Sequence, residues 1–136
     1  MKNTWLDLIT QWGEANQHRF EYLCGRFDRH HVVGRKAKYN KEPIGLYYVL
    51  PIAKKYHDVH SNNPYNVTHY PKKFELKFGT QQELFFNMCC EIKNLPFEKE
   101  IFDQILNYHK HQVRRNIDFN TLPFFNQEKY NKIKFK

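Results

Sequence analysis

The sequence predicts an α+β fold, in which a small strand–strand–helix unit carries a cluster of histidines and is flanked by α-helices. Four of the eight histidines fall between His30 and His60. The strand-like and helix-like patterns of apolar residues in this window predict the strand–strand–helix unit. Amphipathic spacing of apolar residues on both sides of this window predicts the flanking helices. A length of 136 residues suits a single domain, 1–136.

The first element is predicted to be an amphipathic helix. Trp5, Leu8, Ile9 and Trp12 follow the i, i+3, i+4, i+7 spacing and form one apolar stripe. We expect this stripe to pack the helix against the strand–strand–helix unit.

The first histidine pair lies in a region with strand character. Residues 20–33 suit two short strands joined by a polar turn at Gly25 and Arg26. Successive strand side chains point to opposite faces, so His30 and His31 face opposite sides. One imidazole can therefore bind a metal while its neighbour faces a substrate or the other side of the hairpin.

The second histidine pair follows an apolar run. Residues 44–50 are predicted to form a buried strand, and Pro51 favours the first turn of a helix that extends to about residue 60. The spacing of three puts His57 and His60 on one helical face, where both can point at one ion; the alternative is an ordinary polar face. His69 either reaches the same site or closes a turn.

Two further helices are predicted after the histidine window. Residues 71–78 suit a helix that is closed by Gly79, and Thr80 with Glu83 forms a capping box that opens the next helix. Its apolar face comprises Leu84, Phe85, Met88 and Ile92. Another helix is predicted from Pro96 to about Val113.

The segment from residue 116 to residue 136 divides into two parts. Aromatic and aliphatic residues around Pro123 predict an extended piece that packs back on the body. Residues 129–136 alternate basic and apolar side chains, which suits either an edge strand or an arm along a phosphate backbone. The usual behaviour of chain termini favours a solvated tail here.

The order and spacing of these blocks resemble HNH endonucleases, which have the ββα-metal fold. The blocks are His-His-Val-Val-Gly-Arg at 30–35, Leu-Pro-Ile at 50–52, Tyr-His-Asp-Val-His at 56–60 and Phe-Glu-Leu-Lys-Phe-Gly-Thr-Gln-Gln at 74–82. More narrowly, they are similar to phage recombination-associated nucleases of the Ref-like type. The resemblance covers roughly residues 20–90, with a motif core at about 20–62, a helical extension at about 70–113 and a basic aromatic tail at about 116–136.

The resemblance implies a small ββα-metal (HNH-like) core that hydrolyses phosphodiester bonds in DNA with one divalent metal ion. The implied ion is Mg²⁺ or Mn²⁺, with Zn²⁺ as the alternative, and it would assist as a Lewis acid. The implied catalytic general base is His31, and the implied metal ligands are His30, His57 and His60. The implied nucleic-acid-binding residues are Arg35, Lys36 and Lys38, in a basic loop after the first histidine pair.

Two departures from the family pattern bear on these expectations. The middle Asn of HNH proteins has no clear counterpart, which leaves open a non-catalytic nucleic-acid-binding or host-protein-binding phage module on a degenerate HNH scaffold. Cys24, Cys89 and Cys90 lack the Cys-x-x-Cys spacing of a zinc site, so we expect reduced thiols and no structural zinc.

Charge and hydropathy indicate the kind of partner. The chain has 22 Lys and Arg against 14 Asp and Glu, a net charge of +8, which favours binding to double- or single-stranded DNA through counterion release. A host recombinase is a further partner that the resemblance implies. The absence of a long apolar run and of an apolar leader predicts no membrane contact and a cytoplasmic location, in a bacterial host if the phage resemblance holds.

Overall fold

The computed structural model describes residues 4–33, 42–110, 112–115 and 117–136. Within these ranges it is a mixed α+β structure, as predicted, with seven α-helices and two small antiparallel sheets. The helices are α1 Thr4–Ala15, α2 Pro43–Tyr47, α3 Lys54–His57, α4 Pro71–Phe78, α5 Gln81–Ile92, α6 Lys99–Leu106 and α7 Gln127–Asn131. The strands are β1 Phe27–His31, β2 Val49–Ala53, β3 Tyr108–His109 and β4 Gln112–Val113. None of the described helices is long and apolar enough to cross a membrane.

Helix α1 packs its predicted apolar stripe against the core. Trp5 and Ile9 are fully buried, and Leu8 and Trp12 are partly buried against the same cluster. The helix approaches the β1–β2 pair closely at Gly13, where a Cβ atom would lie 2.9 Å from an aromatic ring on β1. The stripe prediction is confirmed.

Strand β1 pairs with β2 and not with the segment that precedes it. The antiparallel register runs from Phe27 opposite Ala53 to His31 opposite Val49. The predicted strand upstream of the polar turn is wrong, because Glu21–Leu23 is a 3-10 turn. The consecutive residues Tyr22 and Leu23 are both buried. In a strand with one face in solvent, consecutive side chains would alternate between buried and exposed.

The apolar run that was predicted to be one strand divides into α2, which begins at Pro43, and β2. Pro51 lies inside β2 and not in the first turn of a helix, so that prediction is wrong. Within the described residues β2 pairs with β1 alone, and such an edge position accommodates a residue without a backbone N–H. Helix α3 ends at His57, so His60 lies beyond it and the predicted shared helical face does not exist.

Helix α4 and the start of α5 follow the predicted local signals. Helix α4 is followed by Gly79 at φ 104° and ψ 163°, a conformation that essentially only glycine adopts. The Thr80 side chain accepts a hydrogen bond from the Glu83 amide at 3.1 Å and so caps α5. The predicted apolar face of α5 is confirmed, with Leu84, Phe85 and Met88 buried.

Helix α6 is shorter at both ends than predicted, and the side chain of Gln82 explains where it stops. The Gln82 amide donates to the backbone carbonyls of Ile105, Leu106 and Tyr108, at 2.7, 3.0 and 3.2 Å. These contacts satisfy acceptors at the helix end without a further helical turn. The chain then reverses through the β3–β4 hairpin, with Lys110 at a φ of 49°.

The C-terminal segment packs on the body of the protein, as predicted for the piece around Pro123, whereas the expectation of a solvated tail at residues 129–136 is wrong. Phe124 and Phe125 each contact Phe86, with 5.5 Å between ring centroids. Tyr130 on α7 and Ile133 are buried. Aromatic area removed from water at these positions outweighs the tendency of a terminus to fray.

Candidate functional site

The candidate site lies where β1, β2 and α3 meet. Asp28 and His30 are two residues apart on β1 and therefore share one face of the strand. Strand β2 passes directly into α3, which contacts β1 and carries His57 as its last residue. Because β2 runs directly into α3, His57 of the second predicted pair lies close to His30 of the first.

Asp28 and His57 form a hydrogen-bonded pair. The distance from the His57 Nδ1 to the Asp28 Oδ2 is 3.1 Å, and the two side chains are 26% and 31% exposed. Since a carboxylate accepts, Nδ1 carries the proton, and the Nε2 of a neutral His57 presents its lone pair. A carboxylate that fixes an imidazole in this way is the arrangement found behind many metal-bound and general-base histidines.

His30 lies beside His57 and is neutral at pH 7. The two ring centroids are 5.0 Å apart with 64° between the ring planes, and the His30 Nε2 is 2.7 Å from the Gln81 Oε1. Burial lowers the pKa of His30 to about 4; the hydrogen bond to Gln81 opposes this shift, while the nearby His57 and His31 add to it. Because the Gln81 oxygen accepts, Nε2 carries the proton, and the lone pair of His30 is on Nδ1.

The remaining predicted histidines do not join the His30–His57 pair. His31 is exposed and, by strand alternation, lies on the opposite face of β1 from His30. His60 is exposed in the turn after α3, where its backbone amide donates to the Asp58 carboxylate at 2.9 Å. His69 closes the following loop, because its Nε2 donates to the Val59 carbonyl at 2.7 Å.

The three predicted metal ligands are not brought together. No three His, Cys, Asp or Glu side chains form a group that could hold a metal ion within residues 4–33, 42–110, 112–115 and 117–136. His30 and His57 nevertheless have the chemistry of ligands, since one is neutral and the other is oriented by a carboxylate. Imidazole nitrogens suit Zn²⁺ and other transition metals, whereas Mg²⁺ prefers oxygen and retains water.

Two lysines lie on α3 with His57, and the carboxylates of Asp28 and Asp58 lie beside the same histidine. Lys54 and Lys55 are exposed and, in the part of the chain that the structure describes, have no carboxylate within 4.0 Å. The predicted nucleic-acid-binding residues Arg35, Lys36 and Lys38 lie outside the described residues.

Two contributors to the site were missed by the sequence interpretation. Asp28 shares a strand face with His30 because of their i, i+2 spacing, and this signal was available in the sequence. Gln81 was considered only as part of a motif and a helix start. Its contact with His30 spans 51 positions of the chain and depends on how α5 packs against β1, so no local pattern indicates it.

Comparison with protein-family models, curated proteins and solved structures found no match to this chain.

Proposed function

We propose that this protein is a metal-dependent endonuclease that hydrolyses phosphodiester bonds in DNA during phage recombination or DNA processing. The observation that carries the proposal is the Asp28–His57 hydrogen bond next to neutral His30, where two antiparallel strands run into a short helix. The HNH resemblance implies two strands followed by a helix, and in this chain α2 lies between the two strands. The net charge of +8 suits a DNA substrate.

In this proposal His30 and His57 would hold the ion. When bound, it supplies Lewis-acid polarisation of the phosphate and stabilisation of the leaving oxygen. Asp28 keeps the proton of His57 on Nδ1, so that Nε2 is available as a donor to the ion. Gln81 keeps the proton of His30 on Nε2 and leaves Nδ1 available. His60 is not included, because it lies in an exposed turn beyond α3.

His31 is the proposed general base. The HNH resemblance implies this role, and an imidazole is well matched to proton transfer near neutral pH. His31 is exposed at the end of β1 on the opposite strand face from His30, so the role requires the bound phosphate to reach round the end of the strand. The attacking water gives one proton to His31 while its oxygen bonds to phosphorus. A phosphorus–oxygen ester bond breaks, and the leaving alkoxide takes a proton from solvent. The products are a phosphate monoester and a hydroxyl.

Positive side chains are proposed to hold the DNA backbone. Lys54 and Lys55 flank the site on α3, and Arg35, Lys36 and Lys38 are the phosphate contacts that the family resemblance implies. Such contacts are independent of sequence and weaken with salt.

A nicking assay on supercoiled and single-stranded circular DNA tests the proposal. Each DNA is incubated with Mg²⁺, Mn²⁺, Zn²⁺ or EDTA, with and without a bacterial recombinase filament. His31→Ala should lower the rate by about 100-fold or more, as loss of a general base does. Asp28→Asn should lower activity or metal affinity by about 10- to 100-fold, because the carboxylate that orients His57 is lost.

Matched variants separate the proposed roles from general damage. His18→Ala removes an exposed histidine outside the site and should leave the rate unchanged. His60→Ala should have less effect than His57→Ala, if the ion is held as proposed. Circular dichroism establishes that each variant folds.

The proposal fails if the wild type shows no metal-dependent cleavage under any condition, or if His31→Ala and His57→Ala both keep full activity. Salt-sensitive DNA binding without cleavage would favour a non-catalytic nucleic-acid-binding module. Absence of both would favour a module that binds a host protein.

A further inference from the structure

A second candidate site is a groove between α1, the 3-10 turn after it, the end of α5 and α7. Its volume is about 500 Å³, within the range of small-ligand sites. Trp12 and Phe20 line one part, and Lys93, Lys129 and Lys132 line another. None of these residues belongs to the histidine cluster.

The groove has a fixed aromatic wall. Trp12 and Phe20 are stacked, with 5.9 Å between ring centroids and 28° between planes. The indole Nε1 of Trp12 donates to the Glu91 Oε1 at 3.1 Å, which holds the ring in one orientation. Trp12 remains only partly buried, so its indole is available to a ligand. Flat, partly exposed aromatic rings are the surfaces on which unpaired bases stack.

The charge that remains in the groove is positive. Its carboxylate, Glu91, is already bound by the Arg19 guanidinium through two contacts of 2.7 and 3.0 Å. The hydrogen bond from Arg19 lowers the pKa of Glu91, so the carboxylate stays ionised and paired. Among the described residues, no carboxylate lies within 4.0 Å of Lys93 or Lys129.

The third lysine is only loosely paired. Lys132 lies 3.7 Å from Glu128 on an exposed surface, where such a pair contributes little. Three ammonium groups therefore border a stacked aromatic pair. The phosphates of a nucleic-acid strand would contact the ammonium groups, and its bases would stack on the aromatic rings. The carboxylates of an acidic peptide would contact only the ammonium groups and leave the aromatic wall without a partner.

We propose that this groove binds an unpaired nucleic-acid strand, with a base stacked on Trp12 and the adjoining phosphates at Lys93, Lys129 and Lys132. The groove and the histidine cluster lie at opposite ends of α5. Glu91 and Gln81 are ten residues apart on that helix, which corresponds to about 15 Å along its axis. Strand binding here goes beyond the proposed hydrolysis and does not depend on it.

Tryptophan fluorescence tests the proposal directly. The chain has two tryptophans, and Trp5 is 1% exposed in the core while Trp12 lines the groove. Titration of the full chain with single-stranded oligothymidylate in EDTA should quench the emission of Trp12. Trp12→Phe should abolish the quenching and leave the Trp5 signal as a reference for folding. Trp12→Leu should weaken oligonucleotide binding, followed by anisotropy of a labelled strand, about 5- to 100-fold.

Charge variants provide a second test that does not disturb the core. Lys129→Gln with Lys132→Gln should lower the slope of log affinity against log salt by about 1.4, since each phosphate contact of a single strand contributes about 0.7. Lys134→Gln with Lys136→Gln removes the same charge from exposed positions of the same segment that do not line the groove. This control pair should leave the slope nearly unchanged.

Several results would overturn the proposal. They are absence of quenching, equal changes of slope in the two double variants, tighter binding of duplex than of single strand, and binding of thymidine monophosphate as tightly as of the oligonucleotide. His57→Ala should bind the oligonucleotide as the wild type does. Absence of cleavage by the wild type, together with quenching, would refute the hydrolytic function and leave the groove proposal standing.

Discussion

His30 makes the free energy of unfolding depend on pH in a way that one substitution can isolate. Burial holds its pKa in the folded protein at about 4, against an ordinary value of about 6.5. The unfolded chain therefore binds more protons than the folded chain between these two values. The contribution of His30 to the free energy of unfolding should be fully present above pH 6.5. It should be lost progressively as the pH falls from 6.5 towards 4.

The size of the effect follows from the two pKa values. At pH 5 the imidazole is almost fully charged in the unfolded chain and mostly neutral in the folded protein. Linkage then gives a loss of about 2 kcal/mol between pH 7.5 and pH 5 from His30 alone. This is a substantial part of the free energy of unfolding of a small domain.

Urea denaturation in EDTA at pH 7.5 and pH 5 measures the effect. His30→Gln should lose about 2 kcal/mol less than the wild type over this interval, whatever its stability at pH 7.5. His18→Gln, which changes an exposed histidine, should follow the wild type. The reasoning is refuted if His30→Gln and the wild type lose the same amount, or if the His30 ring proton titrates near pH 6.5 by NMR.

Two further predictions concern stability, and both are measured by denaturant unfolding. Gly79→Ala should lower the free energy of unfolding by about 2 kcal/mol, because φ is 104° and ψ is 163°, a backbone conformation that essentially only glycine adopts. Unchanged stability would contradict this account of the α4–α5 junction. Tyr130→Phe removes the hydroxyl that donates to Asp103 at 2.6 Å and should lower the free energy of unfolding by about 1 to 2 kcal/mol. An unchanged free energy of unfolding would show that this hydrogen bond adds no net stability.

Local signals predicted the parts of the fold that local interactions determine. The stripe of α1, the closing glycine of α4 and the threonine cap of α5 act within one or two helical turns, so their pattern is visible in the sequence. The predictions at Pro51 and at the end of α6 were wrong, because each depends on distant groups. Pro51 is placed by pairing with β1, and α6 is ended by Gln82 from α5.

The candidate site shows the same limit. His30 and His57 could be chosen from their residue type and clustering, and the structure brings their rings to 5.0 Å. The short length of α3, which separates His60 from this pair, was not visible in the sequence. The carbonyls of Tyr56 and His57 at the end of α3 accept hydrogen bonds from Val67 and Thr68 of the following loop, and no local pattern indicates these contacts. The orientation of each imidazole comes from Asp28 and Gln81, one available by strand spacing and the other only through tertiary packing.

The packing of the C-terminal segment also constrains the order of events during synthesis. Phe102 on α6 contacts Tyr130 at 6.0 Å and Phe135 at 5.4 Å between ring centroids, and Phe86 is covered by Phe124 and Phe125. A nascent chain that has emerged only as far as α6 therefore leaves these aromatic rings open to water. Covering of Phe86 and Phe102 waits for residues 124–135 to leave the ribosome, and until then the exposed aromatic surface is a target for chaperones.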